Sequence, residues 1–359
     1  MCMHRLAVLA ALLLAACSAD SDTPQSPAAE AQPATQNPSP SNGLQPAEIT
    51  LSKDPNGLDL IDVRGLAKAD SPAGHRYELG KWLFFDPRLS ASGSMSCSTC
   101  HLPDKAWTDG EKLSKKDDGS TNKRHTPTLV NVGYCDKLYW DGRAASLEAN
   151  VVAAWKGQMS ADPLKIGSAL AAIPTYKDKF QKAFQFDPNE ENIGKALASF
   201  VRMIKGENAA YDRYLAGDAN AMTQDQKAGH DLFMGKAGCA VCHTPPRMTN
   251  LGFHNTGIGM DKSEPDMGRG AHLKDPKWNG FFKTPSLRDV AKTAPYFHDG
   301  SAATLEEAVR LMAAGGRDNP TKSPELLDRK LNDGEVKAIV AFLGALTSEV
   351  SFTPPTLPQ

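Results

Sequence analysis

The chain has 359 residues, with 40 Lys and Arg against 42 Asp and Glu and a formal net charge of −2. So balanced a charge leaves no basic field for nucleic acid. The length admits two domains.

Residues 1–16 read as a secretory signal, because Arg5 precedes an apolar run from Leu6 to Ala16 that is too short to span a bilayer. The run "LAAC", Leu14 to Cys17, looks like a bacterial lipobox, with cleavage before Cys17 and a lipid on its sulfur. An ordinary signal with an incidental cysteine is the alternative. Ser18 favours sorting to the outer membrane over the inner. Within residues 17–55, the stretch from 18 to about 48 is rich in Pro, Ser, Ala and Gln and cannot bury a core. The segment reads as a tether, with a coil span of roughly 30 Å. No later stretch is long and apolar enough to cross a bilayer.

Further on, the helix-like "ELGKWLFF" (Glu78 to Phe85) leads into "MSCSTCHL", which holds Cys97, Cys100 and His101. Ile193, Leu197, Phe200, Val201 and Ile204 follow the spacing of a buried helix face. A domain boundary is expected in "AGDANAMTQDQ", residues 216–226, which splits the folded chain into 56–216 and 217–359. A second apolar stretch, "AGHDLFMG", leads into "GCAVCHTP" with Cys239, Cys242 and His243. Thr304 and Glu307 form a capping box. Behind it Leu305, Ala308, Val309 and Met312 share one helix face, and Val336, Ile339, Val340, Leu343 and Leu346 share another.

Cys-x-x-Cys-His is the attachment signal of a c-type haem. Two thiols add across the vinyl groups, and the adjacent imidazole binds iron from the proximal side. Zinc could use four cysteines and two histidines. A redox dithiol needs no trailing histidine, and nothing here reads as a βαβ frame. Two copies of the pentad favour two covalent haems. Haem attachment takes place outside the cytoplasmic membrane, which agrees with an exported chain. Cys2 and Cys17 belong to the N-terminal segment, and Cys135 reads as a buried or free thiol without a role.

The chain also repeats itself. "TPTLVNVGYCDKLYWDGRAASLEANV" (126–151) matches "TPSLRDVAKTAPYFHDGSAATLEEAV" (284–309) without a gap, at an offset of 284 − 126 = 158 residues. The expected fold is therefore all-α, as two cytochrome c-like haem domains related by internal duplication. The repeat partner of Met312 is Ala154. A thioether can be the sixth ligand of a haem iron, and alanine cannot. If Met312 ligates, one haem is closed and suited to moving electrons, while the other is open to peroxide. Core packing is the plainer role for Met312, and Met248, Met260 and Met267 are rival ligands.

The motifs "LFFDPRLSASGSMSCSTCH", "YWDGRAASLE", "GCAVCH" and "TPSLRDVAKTAPYFHDG", with "TLEEAVRLM" after them, resemble those of the bacterial diheme cytochrome c peroxidases and the related MauG-like diheme enzymes. The resemblance covers about residues 70–347. It implies a peroxide site at the N-terminal haem and a high-potential electron entry at the C-terminal haem. It implies that Met312, 17 residues after Pro295, ligates the latter; MauG-like members carry Tyr there. Trp140 matches a Trp between the haems, which can relay electrons or simply pack. The carbonyls of Thr293 and Pro295 match calcium ligands, but His125 stands where the family has Asn. A neutral imidazole is a poor ligand for so hard a cation.

Other departures concern the first haem. No His lies between Leu102 and Arg124 to block it, so it is expected to be open without reductive activation. Asn150 replaces a Gln, and Gln158-Met159 replaces a Glu-Met pair. A carboxylate can carry a proton between peroxide oxygens, whereas an amide only donates and accepts hydrogen bonds. Glu148 has a repeat partner in Glu306, which points to a helix-start role. The leading reading is a periplasm-facing peroxidase that reduces hydrogen peroxide with electrons from a small cytochrome c or cupredoxin. The alternatives are a MauG-like oxidant of a partner protein and a non-enzymatic electron-transfer lipoprotein. A homodimer is compatible with each.

Overall fold

The computed structural model describes residues 51–53, 59–61, 70–349 and 351–359. The expected signal and Cys17 lie outside the described residues. The described chain is helix-rich with little sheet. The helices are α1 (Pro72–Phe85), α2 (Cys97–Cys100), α3 (Leu147–Gln158), α4 (Pro163–Ala171), α5 (Pro174–Phe184), α6 (Glu190–Val201), α7 (Ala210–Leu215), α8 (Gln224–Met234), α9 (Arg269–Leu273), α10 (Leu305–Ala313) and α11 (Asp333–Gly344). Two short antiparallel pairs complete it. β1 (Leu51–Lys53) pairs with β2 (Asp59–Ile61), Leu51 opposite Ile61, and β3 (Phe253–His254) pairs with β4 (Phe282–Lys283), Phe253 opposite Lys283.

Among the described residues the buried apolar side chains form two cores. One runs from Leu79 to Ile204 and the other from Tyr211 to Leu346. Each is built on one helix crossing. In the first lobe, α1 starts at Ser71, whose hydroxyl accepts from Gly74 N at 3.0 Å, with Pro72 at the first helical position. It buries Leu79, Leu83 and Phe84 against Ile193, Leu197 and Phe200 of α6. The two backbones meet at Gly80, where a Cβ would overlap the Ala196 carbonyl oxygen. In the second lobe, α8 crosses α11 in the same way, and a Cβ on Gly229 would overlap the Ala338 carbonyl oxygen.

Other geometry recurs at the 158-residue offset. An antiparallel bridge joins Leu138 to Ala144, and another joins Tyr296 to Ala302. Ser146 caps α3 through Ala149 N, and Thr304 caps α10 through Glu307 N, each cap contributing about 1 kcal/mol. Thr304 N in turn donates to Glu307 Oε2 at 3.1 Å, closing the expected capping box. Thr108 Oγ1 donates to Thr126 O at 2.7 Å, and Thr249 Oγ1 donates to Thr284 O at 2.8 Å, with the acceptors at the same offset and the donors 249 − 108 = 141 residues apart. Ile204 and Leu346, expected on helix faces, are buried just beyond the ends of α6 and α11.

Candidate functional site

Both Cys-x-x-Cys-His turns wall one cavity of about 1720 Å³, above the roughly 300–1,000 Å³ of a single small-molecule site. In the first lobe, α2 is the single turn from Cys97 to Cys100. It is fixed at its start by Ser96 N donating to Thr99 Oγ1 at 3.0 Å. His101 follows, its amide donating to Cys97 O at 3.1 Å. Its Nδ1 donates to Trp107 O at 2.7 Å. Trp107 sits in the left-handed region (φ 62°), a conformation that turns its carbonyl back to the ring. A carbonyl can only accept, so Nδ1 carries the proton and Nε2 keeps its lone pair.

The second lobe repeats the device. His243 Nδ1 donates to Met248 O at 3.2 Å, and Met248 is also left-handed (φ 55°). Burial lowers the pKa of both imidazoles, that of His243 to about 4, so both rings are neutral. Burial pushes the Cys97 thiol up to about 12 and those of Cys100 and Cys239 to about 11. These are protonated thiols, unlike the low-pKa nucleophile of a dithiol oxidoreductase. Paired free thiols beside a neutral imidazole with its outer nitrogen committed fit the donor set of a c-type haem in each lobe. Among the described residues no group of three or more His, Cys, Asp or Glu is arranged to hold a metal ion by itself.

The opposite walls differ. On α3, Asn150, Ala154 and Gln158 line the cavity at i, i+4 spacing. Gln158 Nε2 donates to Asn122 Oδ1 at 3.1 Å, and Asn150 O accepts from Tyr139 Oη at 3.2 Å. On α10 the corresponding positions hold Ala308 and Met312, and both line the cavity. Met267 lines it too, whereas Met248 and Met260 are not among its wall residues.

Between the lobes stands Trp140, half-buried, its Nε1 donating to His125 O at 2.8 Å. Its ring meets His298 edge-on at 6.4 Å, and His298 stacks on Phe282 at 3.7 Å. Arg124 binds Asp266 of the second lobe through Nε (2.6 Å) and Nη2 (2.9 Å), and Asp141 through Nη1 (2.7 Å). Burial alone would raise both carboxyls, but the guanidinium holds them below the usual range.

A sequence model of the family described as di-haem cytochrome c peroxidase matches residues 74–220. The methylamine utilization protein MauG of Methylorubrum extorquens is 39% identical over 304 residues, covering 81% of this chain and 84% of that protein. The chain belongs to the di-haem cytochrome c peroxidase family. Cytochrome-c peroxidase IdrP1 of Denitromonas iodatirespirans is 35% identical, covering 81% of this chain and 87% of the relative. Among solved structures, a MauG-like protein associated with microbial copper homeostasis superposes with a TM-score of 0.71 at 32% identity, over 77% of this chain and 90% of the other. This family member is therefore an oxidoreductase, and its family implies two c-type haems.

Other expected residues fall as follows. Thr293 and Pro295 line the cavity. His125, however, commits its Nδ1 to Glu111 O at 2.8 Å and offers no oxygen, so the donor set does not fit calcium there. Glu148 pairs with Arg202 at 2.6 Å, away from any acid–base role. Cys135 is a free, half-buried thiol on the cavity wall, 3.9 Å from Lys283 Nζ. His298, Asn122 and Arg124 were missed as site residues. His298 could have been found, because it is the repeat partner of Trp140 (298 − 158 = 140). No helix among the described residues is long and apolar enough to cross a membrane.

Proposed function

We propose that this protein reduces hydrogen peroxide to water (H2O2 + 2H⁺ + 2e⁻ → 2H2O). Peroxide would bind in the first lobe, and electrons would enter through the second from a small cytochrome c or cupredoxin. The recurring geometry supports reading the two lobes as an internal duplication, with domains at 56–216 and 217–359. Cys97, Cys100 and His101 would hold one haem, and Cys239, Cys242, His243 and Met312 the other. When bound, the haems would supply the redox-active iron that peroxide reduction requires. The chain supplies the rest. Trp107 O and Met248 O orient the two imidazoles, Asn150 and Gln158 offer hydrogen bonds to bound peroxide, and Trp140 bridges the lobes. The lipobox and tether would place the protein on the periplasmic side of the envelope, anchored at Cys17.

The observation that carries this reading is the unequal wall, with Met312 on one side of the cavity and Ala154 at the matching place on the other. A second reading, oxidation of a partner protein, draws on the 39% identity to MauG. The test is the optical and EPR spectrum of the ferric protein. One high-spin and one low-spin haem are expected, and Met312→Ala should make both high-spin. Two low-spin haems in the unmodified protein would overturn the open first site.

A further inference from the structure

His298 is 4% exposed and lines the cavity. Its ring nitrogens make no hydrogen bond to any described side chain or backbone group. Open to the cavity in this way, a ring nitrogen is free to meet a polar group of whatever fills that space. The neighbouring charges are already committed. Lys262 pairs with Asp299 at 2.8 Å, and Arg124 is shared by Asp266 and Asp141. Burial keeps the imidazole neutral, lowering its pKa to about 4, so it faces the cavity with one N–H to give. The ring cannot turn freely, because it is stacked on Phe282 (3.7 Å, 14°) and edged by Trp140. Its backbone carbonyl is pinned from the other lobe by His125 N at 2.7 Å. The hydrogen-bond acceptors that a c-type haem brings into such a cavity are its carboxylates.

We propose that His298 donates its ring N–H to a haem carboxylate at the boundary of the lobes. Through its contact with Trp140 it acts as a positioning residue for electron exchange between the haems. This rests on the two-haem reading above. The donor draws charge from the carboxylate, which otherwise stabilises ferric iron. His298 thereby raises the reduction potential of the haem it serves.

The test compares His298→Phe, which keeps a ring on Phe282 but has no N–H, with His298→Gln, which keeps an N–H donor but has no ring. Haem content and unfolding temperature are measured on the same samples. In His298→Phe one of the two haem potentials should shift downward in a spectroelectrochemical titration, with both haems retained. In His298→Gln that potential should return toward the original value, while inter-haem electron transfer slows several-fold after flash reduction. If His298→Phe loses haem, the His298→Gln arm still decides through the transfer rate. Two haems with both potentials and the transfer rate unchanged in either variant would leave His298 a packing residue and overturn the proposal. Fewer than two haems in the unmodified protein would instead overturn the reading on which it rests.

Discussion

The two lobes share a scaffold and differ in the wall that faces their histidines. Each has a glycine-mediated helix crossing, at Gly80 and Gly229. Each holds its histidine on the carbonyl of a left-handed residue, Trp107 or Met248. Each caps the wall helix with a hydroxyl, from Ser146 or Thr304. Yet α3 presents Asn150, Ala154 and Gln158 where α10 presents Ala308 and Met312. A scaffold fixed by crossings and caps is indifferent to a few side chains one helical turn apart. The chemistry of each half can therefore change without a change of fold.

The largest effect is expected at the wall. On the proposed peroxidase reading, Gln158 stands where a carboxylate would move a proton between peroxide oxygens, and general acid–base groups contribute roughly 10²–10⁴ in rate. Gln158→Glu should raise peroxide turnover by about 10²-fold, with haem spectra unchanged. A pH–rate profile of both forms with an artificial donor checks it. The gain should concentrate where the new carboxyl titrates, at a pKa raised by desolvation. Fast turnover in the unmodified protein with no gain in the variant would mean that another group moves the proton.

The scaffold itself can be broken symmetrically. Gly80→Ala and Gly229→Ala each push a methyl into a backbone carbonyl that cannot swing away. Overpacking of this kind costs roughly 3 kcal/mol. Chemical unfolding should show similar losses for both. A loss confined to one variant would mean that the crossings are not equivalent.

The boundary between the lobes is a weaker tie. Asp266→Asn removes the charge from the bidentate contact with Arg124. With Asp266 30% exposed, the loss at pH 7 should be about 2 kcal/mol. Arg124 holds this carboxyl below its ordinary pKa of 3.8, so its contribution is complete above that value. It is lost as pH falls through the depressed pKa. The stability difference between the two forms should therefore be constant from neutral pH down to about 4 and shrink below it. A difference that persists in stronger acid would show that the contact is not ionic.

Local features were legible in the chain. The pentads, the apolar stretches before them, the face of α6 and the Thr304–Glu307 box all depend on residues within a turn or two of each other. The repeat also made the unequal wall legible, since Ala154 and Met312 could be compared without coordinates. What stayed hidden depends on distant segments. Asn122 meets Gln158 from 36 residues away, and Phe282 meets His298 across 298 − 282 = 16 residues that no periodicity marks. Helices α4 and α5 were not anticipated. In α5 the buried residues are Tyr176, Phe180 and Ala183, set among lysines, too sparse a stripe to stand out.

The smallest expected effect concerns a difference that lies outside the repeat. Phe352, in the C-terminal tail, returns to the first lobe. It stacks on Phe85 at 5.5 Å and 11°, and meets Trp107 at 5.0 Å and Phe200 at 5.7 Å. Arg88 Nη2 fastens the tail further along through Pro358 O at 2.8 Å. The second lobe needs no such cover. By the crossing glycines, Phe85 corresponds to Met234, which is left 45% exposed, while Met248, whose carbonyl holds His243 as that of Trp107 holds His101, is fully buried. Phe85, which stands where the second lobe has a solvated methionine, thus requires a lid here. Phe352 is half-buried and near the chain end, so Phe352→Ala should cost about 1 kcal/mol, well below the 3–5 kcal/mol of a fully buried ring. The unfolding temperature should fall by roughly 2–4 °C. Because Trp107 O orients His101, the first-lobe haem spectrum should broaden before that of the second lobe changes. Phe352→Leu should recover most of the loss. A variant that melts with the unmodified protein and leaves both haem spectra intact would show that the tail merely rests on the lobe.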